Sequence, residues 1–324
     1  MNSRKLVSET IKGINNSGIT PVYMWVYLNM GDKIEKEFGS VENFEDKYKF
    51  DLAHIFGGPQ ICDTDLLDSY RNQDIEITPE LFLDIPLSDV DNMEKYDDIK
   101  KALKHHGQER DRFCYVQTNG IFECLNGVFG IENHLMYLML YPDELKQIYK
   151  RQSLWNKKFA ENVIELGVDM VHVSDDWGAQ NSLIFSPAIL RNMIMPYHKP
   201  VCEYVKSKNV FLSLHNDGNV IDALPVIEEL GYDLLHPWQE SAGMSYDHYL
   251  GKYADKFSLM GGICIQTSLG FNNYVKLKND INRVFGLLKG KRWICCTTHF
   301  VQDHCSLEEL IFACDLINKL AGKE

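Results

Sequence analysis

An eight-stranded parallel β/α barrel, (β/α)8 of the TIM type, is the fold class this sequence predicts, and three observations predict it. From Arg112 onward, short apolar runs alternate with amphipathic segments of helical length. The runs themselves, such as VDMVHVS over 168–174 and VFLSL over 210–214, are almost continuously apolar, as strands buried on both faces of a parallel sheet must be. Nearly every run also ends in polar or glycine residues, which is expected when all strand tips ring one pocket at the C-terminal face of a barrel. An open doubly wound sheet, the alternative, would gather such residues at a single switch point.

Each element has its own justification. Residues 1–19 read as a polar amphipathic helix with a loop at Asn15–Gly18, and Pro21–Tyr27 (PVYMWVY) as the first strand. Residues 28–97 are irregular, with charged helices near Asp32–Phe38 and Val41–Phe50, the apolar stretch FDLAHIFGG, and a polar excursion rich in Asp, Asn and Pro. One further strand must lie here to bring the count to eight, and the rest is expected to decorate the barrel mouth. Arg112–Thr118 is the next strand; Glu132–Leu140 and Asp143–Leu166 are helical, the second opened by Pro142 and stopped by Gly167. The strand Val168–Ser174 leads to a helix over Pro187–Lys206 that Pro196 should kink. After the strand at Val210 come the helix Val220–Leu230 closed by Gly231, the strand Tyr232–His236 and a helix around Tyr246–Tyr253. Phe257–Met260 and Arg292–Thr297 are the last strands, and Asn273–Leu288 and Leu307–Leu320 the last helices. The whole of 1–324 is read as one domain, near the upper limit for a single unit but usual for an elaborated barrel.

Composition excludes several function classes. A formal charge of -13 and a pI near 5.3 leave no basic stripe to neutralise phosphates, so no nucleic-acid partner is expected. The first residues carry charge but no apolar core of the secretion-signal kind, and no run has the length to span a bilayer, so a cytoplasmic protein without membrane association is expected. The 9 cysteines are scattered, with no C-x-x-C pair, which fits reduced thiols and excludes a zinc ribbon by spacing. Whether the chain forms a homodimer is left open.

The chemistry-bearing residues lie at the strand ends. In LHNDGN, His215 and Asp217 are two residues apart, so an extended backbone projects them the same way, within reach of one ion or one substrate group. In the alternative reading, His215 bonds a carbonyl and Asp217 caps the helix that follows. His299, after the apolar strand WICCTT, is expected to face them across the pocket. Two imidazoles and a carboxylate give three protein ligands and one open position, the pattern of a catalytic zinc, so His215, Asp217 and His299 form the candidate metal set. Adjacent Asp175 and Asp176 would repel if both pointed inward; one should cap or pair while the other faces the pocket, and both stand with His215 and His299 as catalytic candidates. Trp177, Gln180, Trp238, Gln239, Gln266 and Gln302 complete the ring as candidate substrate contacts, with packing the alternative for the two tryptophans. His105, His106, His198, His248 and His304 are expected to be solvated, and His54 and His172 to be hydrogen-bonded core residues.

The passages VDMVHVSDDWGAQ, SP-x8-P over Ser186–Pro196, LHNDGN, GYDLLHPWQ, LMGGICIQ and THFVQDHCSLEEL, in this order and spacing, resemble the uroporphyrinogen decarboxylase superfamily over about Pro21–Leu320. That resemblance implies a barrel with its pocket at the C-terminal strand ends. Decarboxylases of the superfamily carry an arginine-bearing motif near the first strand that grips the substrate's propionates; TPVYMWVYLNMGD has none. Methyltransferases of the superfamily often bind zinc through H-x-C and a later Cys, where this chain has H-x-D and a His, harder donors less suited to a thiol acceptor. H-x-D-G with the later H-x-x-Q-D resembles instead the corrinoid-linked O-demethylase-type methyltransferases. The resemblance then implies transfer of a methyl group from a methoxy compound or similar small donor to the cobalt of a partner corrinoid protein, docked over the mouth on residues 28–97. Cys264 stands where the superfamily commonly has Asp, either as a surrogate ligand or as a core thiol. A uroporphyrinogen-decarboxylase-like decarboxylase using Asp175 or Asp176, and a non-catalytic barrel that binds a small molecule, are the other two readings.

Overall fold

The computed structural model describes residues 2–323. α1 (Ser3–Ile11) is capped by the Asn2 side chain and lies across the strand starts, where Arg4 meets Asp169 and the Ile11 carbonyl accepts from Ser258. The expected first strand at 21–27 is not a strand. Pro21 has no N–H to give, the N–H groups of Val22 and Trp25 go to the side chains of Asp51 and Thr297, and Val26 turns back onto the Met24 carbonyl.

The region read as irregular is mostly regular. It holds α2 (Tyr27–Phe38), α3 (Val41–Lys47), β1 (Leu52–Ile55), α4 (Thr64–Arg71), α5 (Pro79–Asp84) and α6 (Asp97–Ala102). The strand sought there is β1, hidden in FDLAHIFGG because only four residues of it are extended. β2 (Phe113–Asn119) is followed by α7 (Glu123–Phe129), α8 (Ile131–Leu140) and the long α9 (Pro142–Glu165). β3 (Met170–Ser174) leads to α10 (Pro187–Ile189), a π-helical turn over Leu190–Ile194, and α11 (Met195–Ser207). Pro196 thus sits in the first turn of a new helix, where its missing N–H does least harm, and the π turn makes the break. β4 (Phe211–His215), α12 (Leu224–Leu230), β5 (Leu234–His236), α13 (Tyr246–Lys252), β6 (Ser258–Ile263), α14 (Tyr274–Leu288), β7 (Trp293–Thr297) and α15 (Leu307–Ala321) complete the order. Gly231 in the left-handed region, and the side chains of Asn273 and Ser306, supply the expected helix ends.

The seven strands pair in sequence order, all in parallel, in one curled sheet with the helices outside it, the arrangement of a TIM-type barrel. The extended segment at Pro21–Tyr23 lies between its edges. It exchanges two backbone hydrogen bonds with Cys295 of β7, and the Val22 carbonyl accepts from Asp51 just before β1. Side chains fill the interior, as the barrel class requires: Tyr23, Trp25, Tyr115, His172 and Met260 are all buried, with the His54 ring stacked on Tyr115 at 4.4 Å. Among the described residues no helix is long and apolar enough to cross a membrane.

Candidate active site at the strand ends

β3, β4 and β5 bring their last residues side by side. Ser174 is the register partner of His215, and His215 of His236. The loops that follow are interlocked: Asp217 N donates to Asp176 Oδ1 (2.7 Å), Trp177 N to Asn216 Oδ1 (3.0 Å), Asn216 Nδ2 to the Asp175 carbonyl (2.7 Å) and Asn219 N to the Ala179 carbonyl (2.7 Å). Glycine is required at the crossing, because a Cβ on Gly178 would lie 2.3 Å from the Asp217 carbonyl oxygen. This packing points Asp217 back toward His215.

Each of His215, Asp217 and His299 offers a ligand atom, and the three atoms lie within 4.8 Å of one another. His215 Nε2 stands 3.9 Å from Asp217 Oδ1 and 4.0 Å from Asp176 Oδ1. Asp217 Oδ1 is buried and has no hydrogen-bond partner in the protein, a cost that a cation at this point would remove. A tetrahedral zinc asks for donors roughly 3 to 3.5 Å apart, so side-chain adjustments of about 1 Å close the set. Two nitrogens and a carboxylate oxygen fit zinc and similar borderline ions.

Burial holds His215 below the ordinary imidazole range against the pull of the Asp176 carboxylate, and lowers His299 in the same way against Asp217. Asp217 is pushed up to about 7, first by burial and then by the charge of Asp176, with His299 opposing. Glu123, which accepts from Ser174 Oγ at 2.9 Å, is pushed up to about 8 by burial and by Asp176 and Asp175. The mouth therefore holds neutral imidazoles beside acids able to carry a proton near neutral pH.

The two adjacent aspartates have different places. Asp175 is fully buried, and its carboxylate accepts five hydrogen bonds, from Ile121 N, Phe122 N, Glu123 N, Trp177 Nε1 and His198 Nε2. It is saturated and ties the start of α7 to β3, so it does not face the pocket. Burial by itself would raise it, but the His198 ring and the backbone N–H groups outweigh that and hold it below the ordinary value. Asp176 is half-buried and faces His215. His198, expected to be solvated, is buried between Asp175 and Tyr232.

The other expected contacts divide. Trp177 and Trp238 are completely buried with their indole N–H groups spent on Asp175 and the Ser245 carbonyl, so they are packing residues rather than a pocket wall. Gln239 accepts from Gly218 N at 2.5 Å and steadies the Asp217 loop. Gln180 and Gln266 are exposed and meet Ser241 on the rim, and Gln302 bonds the Phe300 carbonyl. Cys264 belongs to neither ligand group found among the described residues; it lines a cavity of about 210 Å³ between the end of β6 and α14. His54 and His172 do hydrogen-bond, to Gln117 (3.0 Å) and Ser213 (2.6 Å).

Trp25 was missed. Its indole stacks on His236 (4.4 Å between centroids) and His215 (5.5 Å), and it also meets His54, His299 and Phe300. The alternation in PVYMWVY, which sets Tyr23, Trp25 and Tyr27 on one face, was its signal. Glu123 and His172 were missed as parts of the cluster, and His236, read as the last residue of its strand, was given no role although it ends that strand as His215 ends the neighbouring one.

A curled parallel sheet wrapped in helices, with histidines and carboxylates converging at its C-terminal edge, is the build of β/α-barrel proteins whose site lies at the mouth. Within that class the chain belongs to the uroporphyrinogen decarboxylase (URO-D) family, whose family model matches residues 86–319. A similar solved structure is a methyltransferase from Methanosarcina mazei, with a TM-score of 0.73 at 13% identity over 98% of this chain and 99% of that one. Another is a B12-independent methionine synthase from Shewanella sp. W3-18-1 in complex with selenomethionine, with a TM-score of 0.55 at 8% identity over 94% and 93% of the two chains. A search of curated protein sequences gives no match.

Proposed function

We propose that this chain is a methyltransferase that moves a methyl group from a small methoxy-type donor to the cobalt of a partner corrinoid protein. The observation that carries the reading is the convergence of His215, Asp217 and His299 at the mouth, with Asp217 Oδ1 buried and unpartnered. Membership in the URO-D family, and a fold shared with a protein described as a methyltransferase, support it. The first segment, TPVYMWVYLNMGD, brings no arginine to hold an acidic porphyrinogen.

In this reading the methyl carbon leaves its oxygen and bonds to cobalt, and the difficulty is the negative charge left on that oxygen. His215, Asp217 and His299 would hold a zinc ion, which when bound supplies Lewis-acid stabilisation of that charge. Such stabilisation is worth on the order of 100-fold or more in rate, about 3 kcal/mol. Phe300, half-buried beside His299, would give the donor an aromatic contact, with the buried Trp25 packed beneath the imidazoles. Glu123, which accepts from Ser174 Oγ and is pushed up to about 8, would be the acid that returns a proton.

The test combines purified chain, a corrinoid protein reduced to Co(I), and a panel of methoxylated arenes, followed by the absorbance change on methylation of cobalt. Expected is turnover that falls at least 100-fold when His215, Asp217 or His299 becomes Ala, with loss of bound zinc. Full zinc occupancy in all three variants would end the metal version of the reading. Decarboxylation of an acidic substrate is the second reading, favoured by the raised carboxyl groups of Glu123 and Asp217. Carbon dioxide release in the absence of any corrinoid protein would establish it and displace the first.

A further inference from the structure

We propose that His236, through its hydrogen bond to His215, is the positioning residue that sets which ring nitrogen of His215 is free to bind at the mouth. The inference rests on the site reading above only for what His215 then binds; the proton arrangement itself follows from three atoms.

His236 Nε2 lies 3.0 Å from the carbonyl oxygen of Thr297. A carbonyl only accepts, so this nitrogen carries the hydrogen. The other ring nitrogen, His236 Nδ1, lies 2.8 Å from His215 Nδ1. In a neutral ring whose hydrogen is already on Nε2, Nδ1 is an acceptor, so His215 must donate from its own Nδ1. His215 is thereby fixed with a lone pair on Nε2, the nitrogen that faces Asp217 Oδ1 and Asp176 Oδ1. Both rings are almost completely buried, which disfavours a second proton on either.

The chain of donors runs from the last residue of β4, through the last residue of β5, to the last residue of β7. Three strands of the wall therefore agree on one tautomer. Trp25 stacks on both rings and keeps them from turning out of line. A ligand imidazole held through its far nitrogen is the usual way a protein orients a metal-binding histidine, and loss of such a partner typically weakens metal affinity by about 10- to 100-fold.

A competing arrangement exists in the same cluster. His172, His215 and His236 also offer ligand atoms within 4.8 Å of one another, and His172 Nε2 is buried without a partner. An ion seated there would take His236 as a ligand, and the free nitrogen of that ring, Nδ1, could no longer accept from His215. Zinc binding to variants of His172 and Asp217 separates the two arrangements.

Histidine side chains labelled with nitrogen-15 in the metal-free protein report the tautomer directly by long-range proton–nitrogen correlation, the His215 signals being assigned by their loss in H215Q. Expected is a hydrogen on His215 Nδ1 in the wild type. In H236F, which keeps a ring against Trp25 but accepts nothing, the hydrogen is expected to move to Nε2 or to divide between the two nitrogens. In H236N, whose amide oxygen can accept, the wild-type pattern is expected to return. A hydrogen on His215 Nε2 in the wild type, or a pattern unchanged in H236F, would overturn the proposal whatever the protein binds.

Zinc titration against a chromophoric chelator is the second readout. Expected is an affinity about 10- to 100-fold weaker in H236F, near wild type in H236N, and unaffected in H172F. Loss of binding in H172F but not in D217A would place the ion on the inner histidines and overturn the positioning role. A wild type with the expected tautomer that binds no zinc would instead refute the metal reading of the mouth while leaving the proton arrangement established.

Discussion

Substituting Asn for Asp175 tests the division of labour between the two adjacent aspartates. Asp175 Oδ1 accepts from Phe122 N at 2.9 Å and Glu123 N at 2.7 Å; Oδ2 accepts from Ile121 N at 3.0 Å, Trp177 Nε1 at 2.8 Å and His198 Nε2 at 2.7 Å. D175N keeps the shape but turns one oxygen into a donor. If the amide takes the place of Oδ1, two backbone N–H groups face a donor. If it takes the place of Oδ2, Ile121 N and the indole do, even after His198 changes tautomer to accept. Either way two buried donors lose their partner, at about 1 to 3 kcal/mol each, and the survivors fall from charged to neutral strength. A loss of about 3 to 5 kcal/mol is expected, a large part of the roughly 5 to 15 kcal/mol that holds a folded protein together. Urea unfolding followed by far-ultraviolet circular dichroism measures it, with D176N beside it. Asp176 Oδ1 accepts one bond, from Asp217 N, which an Asn oxygen can still accept, so D176N should stay within about 1 kcal/mol of wild type. Because the Asp175 carboxyl is held below its ordinary value, its contribution is present above the unfolded aspartate pKa and is lost as pH falls through the native one. The acid limb of the wild-type stability curve should therefore be steeper than that of D175N. A D175N loss under about 1 kcal/mol, or an equal loss in D176N, would refute the assignment.

Other outcomes follow from the same geometry. G178A places a methyl group 2.3 Å from the Asp217 carbonyl oxygen and 2.9 Å from Asn219 N, both backbone atoms, so zinc uptake and methyl transfer should fall at least tenfold while unfolding shows a loss of about 1 to 3 kcal/mol. W25A removes the buried ring beneath the imidazoles and should cost about 3 to 5 kcal/mol by urea unfolding. W25F keeps one ring but loses the rest of the indole and its hydrogen bond to the buried Tyr115 hydroxyl, so by the same measurement it should cost about 1 to 3 kcal/mol, less than W25A. D217A should lose bound zinc by metal analysis without lowering the unfolding midpoint of the metal-free protein, since it removes an unpartnered buried oxygen.

The second half of the chain was legible because its signals are local. Gly231, Asn273 and Ser306 end or begin helices by their own backbone and side-chain chemistry, and the apolar runs at β3, β4 and β7 are long enough to show. His215, Asp217 and His299 do converge, as expected from the strand ends, but Asp217 lies beyond the end of β4 and is turned toward His215 by the packing of its loop rather than by strand alternation. What was not legible depends on distant partners. Whether Asp175 or Asp176 faces the pocket is settled by N–H groups of Ile121, Phe122 and Glu123, more than fifty residues away in the chain. His198 looked solvated on its helix because nothing nearby reveals that Asp175 and Tyr232 enclose it. Pro21–Tyr27 has the composition of a strand and fails to be one because Asp51 and Thr297 intercept its N–H groups.

That interception has a mechanical consequence. Every strand of the wall is laced to its neighbours along a continuous ladder, except where Pro21–Tyr23 is fastened by a few stitches and two side chains. The ring beneath the imidazoles hangs from this seam, at Trp25. Thermal breathing should begin there while the paired strands stay laced. Amide hydrogens of Val22–Val26 should accordingly exchange with solvent well before those of Val171–Val173.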